Sequence, residues 1–79
     1  MKITFKDQDT QFEIACIQDA FENSVLSAAS LTAALVSRLR KQHRNSEIQK
    51  VVAVIKDILK DLPSSDREEF LHEFAQANR

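Results

Sequence analysis

Between Thr10 and Arg44 the apolar residues recur in a single phase: Ile14, Ile17, Phe21, Val25, Ala28, Leu31, Leu35 and Leu39. Steps of three and four residues average ~3.6, the period of an α-helix. The stretch has neither Gly nor Pro. The pattern predicts one long helix over residues 10–44, or two nearly coaxial ones. It weakens at Glu22-Asn23-Ser24, and Ser24, Ser27 and Ser30 are poor helix formers. A kink is therefore expected between residues 22 and 30. A sharper break near Asn23 would give a compact four-helix arrangement instead.

The clearest stripe follows. Ile48, Val51, Val52, Ile55, Ile58, Leu59 and Leu62 fall on one wide helical face, with Glu47, Lys50, Asp57, Lys60 and Asp61 assigned to the surface. This predicts a helix over 46–62, stopped by Pro63. A last helix over 65–77 turns Phe70, Leu71 and Phe74 inward. Two capping boxes mark helix starts: Thr10 with Glu13, and Ser65 with Glu68. Asp7 and Asp9 add negative charge at the first helix's positive end. Residues 2–6 alternate polar and apolar, as a strand does, with Ile3 and Phe5 on one face. A lone strand must pair with its copy across a dimer or with a partner, or else residues 1–9 are an extended arm with those two side chains tucked in. The expected fold is all-α: a long N-terminal helix, two shorter helices packed back on it, and a short arm, together a single helical bundle over residues 1–79.

At ~1.5 Å per residue the long segment would run roughly 50 Å. Laid end to end, the two later helices would return along it. Either arrangement leaves apolar positions outside the main stripe, Phe12, Leu26 and Val36, and these are assigned to a second interface. Small cores are marginal without help. The chain has 79 residues and one cysteine, Cys16, so an internal disulfide is impossible. Self-association as a homodimer, or a protein partner, is the remaining source of stability.

Composition sharpens this reading at a few points. Without Gly, tight turns fall to Asn, with Asn23 and Asn45 as the candidates. No window has the ~20 apolar residues of a membrane span, and no secretory pattern opens the chain. A soluble, cytoplasmic protein is expected. Net charge is −1 overall, yet residues 38–44 carry +4 from Arg38, Arg40, Lys41 and Arg44. With His43 this basic run is the one prominent surface feature. It suits the negative end of a helix dipole, and it also fits an acidic protein face or a phosphate backbone. Nucleic acid is the less favoured partner. The helix after the run is the most apolar in the chain, which does not suit a recognition helix, and no aromatic residues interleave with the cations.

Catalytic and metal patterns fail on inspection. Asp7-x-Asp9-x-Gln11 matches the start of a calcium loop, but Phe12 and Gln18 stand where Gly and Glu are needed. Glu69-x-x-His72 has no second Glu-x-x-His to complete a di-iron site. Without Gly there is no phosphate-binding loop or nucleophile elbow. Cys16 sits among apolar residues as a small hydrophobe. No cofactor, metal or small-molecule substrate is indicated. The sequence reads as a non-enzymatic interaction protein, an adaptor, inhibitor or regulator that docks a helical surface on a larger protein. The alternative is a nucleic-acid-associated regulator using residues 38–44. If the 46–62 stripe is core, Ile55→Ala costs on the order of 2–5 kcal/mol in a denaturation experiment. A loss below ~1 kcal/mol would put the core face elsewhere.

Overall fold

Helix α1 covers Gln8–Asn23 and α2 covers Val25–Lys41, with Ser24 alone between them. Helices α3, Asn45–Leu59, and α4, Ser64–Ala77, complete the computed structural model, which describes residues 3–78. The protein is all-helical, as the apolar periods predict, and no strand occurs among the described residues. The long N-terminal helix is corrected: the four helices have 16, 17, 15 and 14 residues. The largest dimension of the molecule, 32 Å, is too short for a helix of roughly 50 Å.

Ser24 makes the break. Its backbone is extended, φ −157° and ψ 117°. Its N–H donates to the Ala20 carbonyl at 2.7 Å, closing α1, and its Oγ accepts from the Ser27 N–H at 3.3 Å, capping α2. Helix α2 then runs back along α1. Arg38, near the end of α2, reaches Glu13 and Thr10 near the start of α1. The two form a helical hairpin with a one-residue connection.

Helix α2 is the centre of the fold and packs against α1, α3 and α4. Seven of its residues are buried: Ala28, Ala29, Thr32, Ala33, Leu35, Val36 and Leu39. That face is wider than one stripe, because neighbours lie on several sides. Leu31, placed in the core by the common phase, is instead 43% exposed. Ile14 and Ile17 of α1, Val51, Val54 and Ile55 of α3, and Phe70 of α4 join α2 in one core. The Phe70 ring stacks on Phe21 at 5.2 Å and on Phe74 at 6.1 Å, tying α4 to the end of α1.

Other assignments shift. Val52 and Leu71, read as core, are 41% and 55% exposed, while Glu47, read as surface, is 2% exposed. Helix α1 starts before the Thr10 box: Asp7 is its N-cap and accepts from the Thr10 N–H at 3.2 Å. The arm therefore ends at Asp7, and its first two residues lie outside the described residues. Helix α4 starts at Ser64, behind Pro63 in the cap position, with no side-chain cap from Ser65. The residue with positive φ is His43, at 58°, and Asn45 is already helical. His43 N–H donates to Arg40 O at 3.1 Å and Arg44 N–H to Leu39 O at 2.9 Å. This pair is a Schellman closure of α2, with histidine where glycine is usual.

The hairpin makes Leu31 and Leu35 unequal. Leu35→Ala is expected to lower stability by about 2–5 kcal/mol and Leu31→Ala by less than about 1 kcal/mol, read by urea denaturation. Equal losses would restore the continuous-helix phase.

Candidate functional site

The basic run 38–44 lies where the C-terminal end of α2 meets the start of α1, and half of its charge is used there. The Arg38 guanidinium lies 3.0 Å from Glu13 Oε1 and donates to Thr10 Oγ1 at 3.0 Å. Arg44 Nη2 donates to Asp7 Oδ1 at 2.6 Å. Arg40, Lys41 and His43 stay exposed, and none of the three is in an ion pair among the described residues. The acids that pair with the run come from α1 and its cap, about thirty residues earlier in the chain.

The same corner holds the N-terminal arm. Buried Glu47 lies 3.4 Å from Lys50 Nζ and 3.8 Å from Arg44 Nη2, and accepts from the Lys6 N–H at 3.5 Å. Lys50 donates to the Thr4 carbonyl at 3.1 Å, and the Phe5 N–H donates to Gln11 Oε1 at 3.0 Å. With no strand to join, three of the arm's backbone polar groups, Thr4 O and the Phe5 and Lys6 N–H, are met by side chains of α1 and α3. Glu47 was legible in principle. It precedes Val51 by four residues and so continues the buried stripe. A charged residue in that phase signals a partnered buried carboxylate.

A cavity of about 410 Å³ lies beneath the arm, lined by Ile3, Gln11, Ile14, Gln18, Val54 and Ile58 among others. Gln11, Gln18 and Asp57 are its polar lining residues, and Gln11 Oε1 already accepts from the Phe5 N–H.

The second feature is an apolar groove of about 160 Å³ between α2, α3 and α4. Thr32 and Val36 line it from α2, Val51, Val52, Ile55, Lys56 and Leu59 from α3, and Phe70, Leu71 and Phe74 from α4. The Thr32 hydroxyl donates to the Ala28 carbonyl at 2.7 Å, so its proton is already used within its own helix. Val36, assigned to a second interface, is 4% exposed and lies within the core, because α2 is covered on several sides. Phe12 and Leu26, assigned with it, are 69% and 46% exposed. Sequence reasoning missed Val52 and Leu71 as surface residues. The signal was the excess width of their stripes, more apolar positions than one packing face needs.

No group of three or more His, Cys, Asp or Glu among the described residues is arranged to hold a metal ion. No helix there is long and apolar enough to cross a membrane. Compared with family models, curated proteins and solved structures, the chain matches none.

The Asp7 carboxyl is held well below the usual carboxylate range, first by the Arg44 hydrogen bond and then by Thr10. The same contact raises Arg44. The unfolded chain therefore takes up this proton first as pH falls. The stabilisation from Asp7 is full above about pH 4 and is lost as pH drops further, toward the folded-state value. Asp7→Asn should lie below the parent protein in stability at neutral pH, and the gap should narrow steadily as pH falls below about 4 in a denaturation series. A gap of unchanged size from neutral pH down to about pH 2 would mean that capping, not charge, carries the effect.

Proposed function

We propose that this chain is a small non-enzymatic protein-interaction module, an adaptor, inhibitor or regulator that docks a helical surface on a larger protein. The observation that supports it is the groove between α2, α3 and α4. Single exposed hydrophobes are normal on any protein. Here Val52 and Leu71 border the same groove as buried Val51, Ile55 and Phe70, so the exposed apolar surface is contiguous with the core. An apolar groove open to solvent beside the core is a place where a partner's apolar side chain can be buried. The groove is preferred over the basic run because Arg38 and Arg44 are already paired with Glu13 and Asp7.

A photoreactive residue at position 71, in cells that naturally contain the protein, tests the reading. A discrete heavier adduct is expected, lost when Val52→Glu is added and absent when the probe sits at exposed Asn23. Surface changes of this kind leave stability within about 0.5 kcal/mol, so circular dichroism should be unchanged. Identical adduct patterns at 71 and 23 would overturn it.

A further inference from the structure

The groove has a charge pattern as well as an apolar floor. Its lining contains one charged residue, Lys56, and no acid. Helical register places two more cations beside it. Arg40 follows Val36 by four residues on α2, and Arg67 precedes Leu71 by four on α4. Lys56, Arg40 and Arg67 make no ion pair among the described residues. Acids are not scarce on these elements: α4 has Asp66, Glu68, Glu69 and Glu73. Of these, Asp66 stands four residues before groove-lining Phe70, just as Arg40 stands four after Val36, so it flanks the groove and the rim cations outnumber it; Glu69 and Glu73 fall elsewhere around the helix. Glu68, nearest to Leu71 in register, lies on the opposite flank from Phe74, away from the groove.

The fold restricts how a partner can bind. Among the described residues there is no strand and so no sheet edge to extend. Recognition by a groove between helices is the mode in which an amphipathic helix lays its apolar face down. The volume of about 160 Å³ is close to that of an apolar cavity that takes up a single benzene ring, about 150 Å³. One aromatic or leucine side chain is the anchor that fits.

From these observations we infer that the groove receives an amphipathic helix of another protein, with one large apolar anchor between Val52 and Leu71 and with Asp or Glu flanks facing Arg40, Lys56 and Arg67. This rests on the interaction-module reading and adds the chemistry of the partner. Three labelled synthetic helices test it: one with a Leu/Phe face and Glu flanks, one with the same face and Lys flanks, and a scrambled Glu version. Binding is read by anisotropy, and its location by methyl NMR shifts of Val52 and Leu71.

The Glu-flanked helix is expected to bind at least about tenfold more tightly than the Lys-flanked one at low salt. That preference should shrink as salt rises. The double change K56E/R67E should reverse it, and Leu71→Glu should remove binding of both. Equal binding of the Glu and Lys helices, with Val52 and Leu71 shifting, would overturn the charge inference and leave groove docking standing. Shifts of neither methyl with any helix would overturn docking itself. Equal binding of the scrambled helix would reduce the effect to general attraction and overturn the proposal. So would self-association of the chain that Leu71→Glu abolishes, which would make the occupant a second copy.

Discussion

Close packing around α2 is the constraint on which the rest of the fold depends. Three helices share one helix as their common neighbour, and they can do so because its buried face is built from small residues. Ala28 and Ala29 are fully buried, and Ala33 nearly so. Their small side chains let neighbouring axes approach on more than one side, where a leucine-rich helix would hold them apart. Leu35 and Leu39 fill the space that remains, both with no exposed surface. Thr32 could have been a liability in such a position, but its bond to Ala28 O satisfies the hydroxyl within its own helix. Each outer helix then contributes only a narrow face. That is why α1 buries little more than Ile14, Ile17 and Thr10, and α4 buries Phe70 alone.

This centre explains what the sequence revealed and what it hid. The helical content was legible, since each segment keeps its period. The hairpin was legible only as the alternative, a break near Asn23 giving a compact four-helix arrangement, because a one-residue break hardly disturbs the phase. The residues before and after Ser24 keep step although the helices turn back on each other. The useful clues were small residues that a count of large hydrophobes ignores. Ala29, Thr32, Ala33 and Val36 broaden the α2 face beyond a stripe, as a helix covered on several sides requires. Ser24 was visible only as a poor helix former, yet it closes one helix and opens the next. The basic run was easy to see. Its pairing with Asp7 and Glu13 was not, because that contact exists only after α2 folds back.

Opposite demands act on the polar corner and the groove. At the corner, the arm, α1, the α2–α3 turn and α3 are joined by Asp7, Arg44, Glu47 and Lys50. Glu47 has almost no access to water, so its charge needs neighbours such as Lys50 and Arg44. The Asp7–Arg44 contact is short but half-exposed, and solvent screening keeps such pairs weak. The corner therefore fixes the position of the arm more than it adds to global stability. The strain-prone turn at His43 serves the same geometry. By taking a positive φ it lets Arg44 point back to Asp7 while the last carbonyls of α2 remain bonded.

The groove follows from size. The molecule is only 17 Å thick in its shortest dimension, about the span of two packed helices. Among the described residues no further element lies over the junction of α2, α3 and α4, so Val52 and Leu71 remain open beside the core. An opening of about 160 Å³ admits one large side chain, and a single anchor rarely gives tight binding once the loss of translational and rotational freedom is counted. Affinity would have to come from the partner's wider contact with the helix faces, and the rim cations would set its orientation. Charges at the edge of an interface govern encounter and register more than final affinity. In that division the apolar floor would decide that a helix binds, and Arg40, Lys56 and Arg67 would decide which way round it lies.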